Sequence, residues 1–162
     1  MISINIADAN DLETIQQLAH AIWPIAYKDV IKEEQIVFML KQSYSKEAIA
    51  YQVNEGHVFL IMKEDYTPKG FASFSITEKP WVYKLQKLYL HQSLQGKGAG
   101  KLLINEVEKQ VKNLGASQLI LNVNRGNKAQ YFYTKMGYTI IKTVDIPYFN
   151  YVLNDYIMAK EL

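Results

Sequence analysis

The stretch HQSLQGKGAGKLLINEV, residues 91 to 107, decides how this chain is read. It places three of the chain's eight glycines, Gly96, Gly98 and Gly100, within five positions. VYKLQKLYL (82 to 90) stands before it and reads as a strand; a helical pattern follows, with Leu103, Val107 and Val111 on one face. A glycine loop between strand and helix exposes N–H groups that have no partner inside the helix, and the helix dipole there favours an anion. Two familiar phosphate loops do not fit. A P-loop needs G-x-x-x-x-G-K-[ST], but Gln95 stands five before Gly100 and Leu102 follows Lys101. A dinucleotide fingerprint needs a third glycine where this chain has Lys101, and it needs a βαβ unit where the preceding strands read as antiparallel hairpins.

Working outward, ISINIA (2 to 7) alternates as a strand, and Asn10 with Glu13 predicts a capping box opening a helix. Leu12, Ile15, Leu18 and Ile22 keep helical spacing, and Pro24 is expected to end it. KEEQIVFMLKQ (32 to 42) predicts a second helix, and Ser45 caps a short third through Val53. HVFLIMK (57 to 63) and FASFSIT (71 to 77) predict strands joined by a hairpin loop, EDYTPKG. After the glycine loop, the helix runs over 102 to 113 with Gly115 as its cap, and SQLILNV (117 to 123) is a strand. A helix follows over 127 to 136, and YTIIKTV (138 to 144) and VLNDYIMAK (152 to 160) close the chain as strands. The expected fold is α/β: a single domain over residues 1 to 162, a mixed sheet with helices on it.

The totals agree with one soluble domain. There are 162 residues, 49% hydrophobic and 21% charged. A net charge of only +2 gives no electrostatic support for a nucleic-acid partner. With no cysteine, disulfides, thiolate nucleophiles and Cys-ligated metals are excluded. His20, His57 and His91 match no metal-ligand spacing, so no metal is implied. The N-terminus does not read as a signal peptide, and QQLAHAIWPIAY (16 to 27) is too short to span a bilayer. No membrane partner and a cytoplasmic location are the expectations. Twelve tyrosines are the one compositional oddity.

Gln95-x-x-Gly98-x-Gly100 resembles the [QR]-x-x-G-x-[GA] signature of the GNAT superfamily of N-acetyltransferases. A second match lies one helix and one strand downstream. NKAQYFYTKMGY (127 to 138) resembles the family's N-x-A-x-x-F-Y-x-K-x-G-[FY] helix at Asn127, Ala129, Phe132, Tyr133, Lys135, Gly137 and Tyr138. LNDYIMAKEL resembles the family's last strand, D-x-[IV]-M-x-K. The resemblance is strong in residues 84 to 138 and at the end, and weak in residues 8 to 56.

The resemblance implies a mostly antiparallel sheet of about seven strands, splayed at its centre to hold acetyl-coenzyme A as co-substrate. It implies transfer of the acetyl group to a primary amine through a tetrahedral intermediate. An alkyl amine with a pKa of about 10.4 is neutral in only about one molecule in two thousand at pH 7, a handicap of roughly 4–5 kcal/mol. The site must take that proton, stabilise an oxyanion and protonate a departing thiolate. By resemblance, the amides of Gln95, Gly96, Lys97, Gly98, Ala99, Gly100 and Lys101 bind the pyrophosphate. Leu88, Tyr89 and Leu90 run along the pantetheine arm, Asn127 and Lys135 belong to the coenzyme side, and Tyr133 is the general acid. Tyr133 also falls on its helix's apolar stripe, which by itself suits a core residue.

Many relatives carry a glutamate on the strand before the glycine loop; here Gln86 stands there and cannot take a proton. The base is then ordered water or a carboxylate from elsewhere, with Glu33, Glu34 and Asp145 as candidates. His91, at the strand end, is a candidate proton shuttle. In this family the segment after the first helix shapes the acceptor pocket. Trp23 and Tyr27 would form an apolar wall there and Glu33 and Glu34 would attract a cation, a loose resemblance to bacterial spermidine/spermine N-acetyltransferases. A small amine such as a polyamine, a peptide or protein amine, and an antibiotic or amino-acid amine all stay open as acceptors. Tyr148, Tyr151 and Tyr156 suit either the pocket or a homodimer interface. Because of Gln86, a coenzyme-A-binding module without turnover also stays open.

Overall fold

A computed structural model describes all residues, 1–162. Seven strands form one sheet in the order β1-β2-β3-β4-β5-β7-β6, and every neighbouring pair is antiparallel except β4 with β5. The strands are β1 (Ile2–Ile6), β2 (Val58–Glu64), β3 (Thr67–Ile76), β4 (Val82–Leu90), β5 (Gln118–Asn124), β6 (Thr139–Tyr148) and β7 (Tyr151–Glu161). Helices α1 (Leu12–Ala26), α2 (Glu33–Tyr44) and α3 (Lys46–Asn54) lie between β1 and β2. Helix α4 (Ala99–Asn113) follows β4, and α5 (Ala129–Lys135) follows β5. The expected fold class holds.

The sheet separates two cores. On one face Leu103, Ile104, Val107 and Val111 of α4 pack on Leu85, Leu119, Leu121 and Met158. On the other, Ile15, Leu18, Ala19 and Ile22 of α1 pack with Ile36 and Leu40 of α2 on Phe59, Ile61 and Phe71. Helix α1 buries its i, i+3, i+4, i+7 stripe, as an amphipathic helix must.

The sheet is open in the middle. The β4–β5 ladder runs only from Val82↔Gln118 to Leu85↔Leu121. Beyond it β5 stays paired with β7 through Asn124, and β4 stays paired with β3 through Leu90, so the two strands part company. The register of β3 on β4 shifts between Ser73 and Phe74, which places Gln86 in a bulge where the parting begins.

Several local expectations are corrected. The capping box uses Asp8 and Asp11 around a 3-10 turn (Ala9–Asp11), not Asn10 and Glu13. Pro24 does not end α1, which continues to Ala26. A proline costs one i→i−4 bond, and here it falls in the last turn, where Tyr27 N–H still closes on Trp23 O. The β2–β3 loop is only Asp65 and Tyr66, both at positive φ, a two-residue hairpin turn. Pro68 and Gly70 lie inside β3, beside a bulge at Met62/Lys63. Pro68 is tolerated because β4 reaches only as far as Gly70, so its missing N–H leaves no partner unserved. Strand β6 runs to Tyr148, and a tight turn carrying Phe149 at φ +53° returns the chain into β7.

Candidate active site

The parted strands open into a cavity of about 1000 Å3 lined by α1, α2, β4, the glycine loop, α4, β5, α5 and β7. At one end lies the glycine loop. Gly98 caps α4 from the left-handed region at φ +76°, and Gly96 sits at φ +77°. No protein atom lies within 4 Å of where a Cβ would stand on either residue, so this backbone is bare toward the open space. Gly100 is bare for a different reason: a Cβ would meet the Phe132 ring of α5 at 3.1 Å. Gly100 thus lets α4 and α5 approach, and Gly96 and Gly98 let the loop turn.

Gln95, Gly96, Gly98, Ala99, Gly100 and Lys101 all line the cavity, as do Leu88, Tyr89 and Leu90 of β4. Lys97 does not; its side chain is exposed. Asn127 lines it too, with its Oδ1 accepting from Ala129 N–H at 2.9 Å, which ties the turn just before α5 to the helix's first residue. Lys135 is exposed at the far end of α5 and outside the cavity.

Tyr133 lines the cavity at 8% exposure. Burial, with a smaller push from Tyr27, holds its phenol well above the ordinary value, so it stays protonated and can donate. Tyr27 and Tyr89 share a 2.8 Å hydrogen bond between hydroxyls. Burial likewise raises Tyr27, to about 12. Trp23 lies 4.4 Å from Tyr27 and 5.5 Å from Tyr44 between ring centroids, and all three rings line the cavity.

The polar side of the cavity differs from expectation. Gln86 lines it and donates to Ser75 Oγ at 3.0 Å. Glu33 and Glu34 are exposed on α2 and lie outside it. Asp145 is exposed and paired with Arg125 at 2.7 Å. His91 is tied into the loop, with Nδ1 and Ser93 Oγ 2.8 Å apart, and does not line the cavity. The carboxylate in the wall is Asp155 of β7, at 8% exposure. Burial raises its pKa, against smaller opposing effects from Asn122, Lys84 and Arg125. Its one side-chain contact is a long 3.4 Å hydrogen bond from Asn122. Lys87 also lines the wall, without an ion pair. Sequence reading missed Asp155 as a site residue, although it is the aspartate of the quoted last-strand motif.

Tyr148, Phe149 and Tyr151 at the β6–β7 turn pack around Phe38 of α2, with ring centroids 5.1 to 6.2 Å away. They hold the two elements together beside the cavity and do not line it. No helix is long and apolar enough to cross a membrane.

Residues 27–149 match the family model described as an acetyltransferase (GNAT) domain. A spermidine N(1)-acetyltransferase of Thermoplasma acidophilum is 30% identical over 99% of this chain and 97% of its own. An uncharacterized N-acetyltransferase of Mycobacterium tuberculosis is 29% identical over 94% of this chain and 98% of its own. The crystal structure of PaiA N-acetyltransferase from Thermoplasma acidophilum in complex with coenzyme A superposes with a TM-score of 0.85. It is 30% identical and covers 100% of this chain and 99% of that one.

Proposed function

Because the chain belongs to the GNAT acetyltransferase family, we propose that it transfers an acetyl group from acetyl-coenzyme A to the primary amine of a small molecule or peptide. One observation carries this: a single cavity joins a bare glycine loop, a parted strand, a protonated tyrosine and a buried carboxylate. The Thermoplasma relative solved with coenzyme A supports the donor.

The residues fit that donor. The amides at the N-terminus of α4 suit a pyrophosphate, and Lys101 beside them adds a positive charge. The backbone of Leu88 to Leu90 that faces the gap has no β5 partner and suits the amides of a pantetheine arm. Acetyl-coenzyme A would supply an acyl group activated as a thioester. Tyr133 holds its proton in the cavity wall and gives it to the leaving sulfur. Asp155 takes the proton that the attacking amine must lose; burial makes its carboxylate a stronger base than an exposed aspartate. The hydrogen-bonded hydroxyls of Tyr27 and Tyr89 keep the wall near Tyr133 polar at one point in an otherwise apolar surface. A module that binds coenzyme A without turnover is the reading Gln86 favours; Asp155 in the same wall supports turnover instead.

The test is calorimetric titration with acetyl-coenzyme A, followed by thiol release with an amine panel. Tyr133→Phe should keep coenzyme binding and lower kcat by about 10²–10⁴-fold. A Tyr133→Phe enzyme as fast as the natural one would refute the assignment of the acid. No binding at millimolar ligand would refute the function.

A further inference from the structure

One corner of the cavity is not used by acetyl transfer as described. Trp23, Tyr44 and Lys87 meet there, all three in the cavity wall. The Lys87 ammonium lies 5.5 Å from the Tyr44 ring centroid and 5.8 Å from that of Phe59. It makes no hydrogen bond and no ion pair. Its charged neighbour is another lysine, Lys84, and His57 lies close enough to feel both; no carboxylate compensates it. The Trp23 indole N–H is buried and without an acceptor in hydrogen-bond geometry, although the Tyr44 oxygen lies on its side. Tyr44 is 1% exposed, and burial keeps its phenol protonated.

The corner therefore holds a cation with no anion beside it: the Lys87 ammonium is half-buried in the cavity wall, whereas the Trp23 indole nitrogen and the Tyr44 hydroxyl are sealed in by their neighbours. Contact with ring faces offsets only part of the hydration that a half-buried ammonium gives up. An anionic oxygen group entering the cavity would pair with the Lys87 ammonium. A second ammonium placed there would face the Lys87 charge, which has no carboxylate among its charged neighbours. The opposite charge preference holds at Asp155, which Lys84 feels and Lys87 does not.

We propose that this corner binds an anionic group on the acceptor, so that the substrate is an amine that also carries a carboxylate or a phosphate. This rests on the acetyl-transfer reading. It turns the acceptor from a polycation, the class that the name of the Thermoplasma relative suggests, into a dipolar molecule. The amine end lies toward Asp155 and Tyr133, and the anionic end lies toward Lys87.

The experiment uses ω-amino carboxylates of three to six carbons. Each is matched with the diamine and the plain alkylamine of its length, and spermidine and the aminoalkyl phosphates run in parallel. The ratio of kcat/KM for the carboxylate over the diamine should exceed tenfold at the best length. Lys87→Met should reduce that ratio at least tenfold through KM, and Lys87→Arg should restore it. A preference for the phosphate series over the carboxylates identifies the anion as a phosphate and supports the same corner. Diamines or spermidine matching the anionic amines, or an unchanged ratio in Lys87→Met, overturns the proposal. A second arm does not need turnover: hexanoate and propyl phosphate are titrated into the coenzyme-A-saturated protein and into the protein alone. Binding that is lost in a folded Lys87→Met variant supports the subsite even if no amine is acetylated, in which case the transferase reading fails separately. Absence of binding in every form, together with no anionic preference in turnover, overturns the subsite.

Discussion

Replacing Gly98 by alanine separates backbone strain from ligand contact. Gly98 caps α4 at φ +76°, and a Cβ there would meet no protein atom within 4 Å. The fold therefore registers only the cost of a left-handed alanine, about 1–2 kcal/mol. For a chain of this length each kcal/mol lowers Tm by about 2–4 °C, so Gly98→Ala should melt about 2–8 °C below the natural protein. Gly100→Ala is the contrast. Its methyl would stand 3.1 and 3.2 Å from two atoms of the Phe132 ring, tighter than normal contact, and should cost about 1–3 kcal/mol by overpacking. Phe132 meets Tyr133 edge-on at 5.3 Å between centroids, so this variant should disturb Tyr133, the proposed acid, as well. The decisive assay is calorimetric affinity for acetyl-coenzyme A alongside Tm. If phosphates occupy the bare space over Gly98, the added methyl meets them, and a loss of about 1.4 kcal/mol or more weakens Kd at least tenfold. If Gly98→Ala loses the expected Tm but binds acetyl-coenzyme A as tightly as before, the loop does not hold the pyrophosphate and the reasoning fails.

Other outcomes follow from the same geometry. Asp155→Asn should lower kcat/KM by about 10²–10⁴-fold in steady-state assays at neutral pH. It should also stabilise the fold. A raised folded pKa means that the native state binds the proton more tightly than the unfolded chain, so Asp155 costs stability at neutral pH and ceases to do so as the pH falls below its unfolded value. The Tm advantage of Asp155→Asn should accordingly disappear in acid; an advantage that grows on acidification would contradict this. Glu108 accepts from Tyr138 hydroxyl at 2.8 Å and Lys160 ammonium at 2.9 Å, with its side chain 13% exposed. Glu108→Ala strands both donors and should cost about 2–4 kcal/mol in denaturant unfolding, while coenzyme binding persists in the folded fraction. Tyr66 is exposed at φ +72° in the β2–β3 turn, where Tyr66→Gly relieves left-handed strain and should add up to about 1 kcal/mol to the same measurement.

What could be read from the chain was what backbone geometry demands of residue type. The glycine loop and the stripe Ala129, Phe132, Tyr133 and Met136 announce themselves because few residues satisfy a left-handed cap or a packed helix face. What could not be read depends on which strands become neighbours. Asp155 follows Asn154 on a strand that reads as half solvated, and its burial arises only because β7 inserts between β5 and β6. Lys87 looks like any strand lysine until Tyr44 and Phe59, from segments far apart in sequence, are laid beside it. Glu33 failed in the opposite way: it lies near the pocket in sequence but points away from it, because α2 turns Gln35 and Met39 inward. Pro24 was misjudged because a proline's cost depends on how much helix remains after it, and only Ile25 and Ala26 follow.

The short ladder between β4 and β5 has a use beyond chemistry. Past Leu85, the backbone amides of β4 that point toward β5 have no strand to bond, while those pointing toward β3 remain paired. In hydrogen–deuterium exchange this one strand should therefore carry slow and fast sites side by side. Any molecule seated along the gap slows the fast set alone and leaves the slow set untouched. Strand β4 thus acts as a ruler built into the protein, graduated residue by residue, that reports how far along the groove an occupant extends whatever its identity.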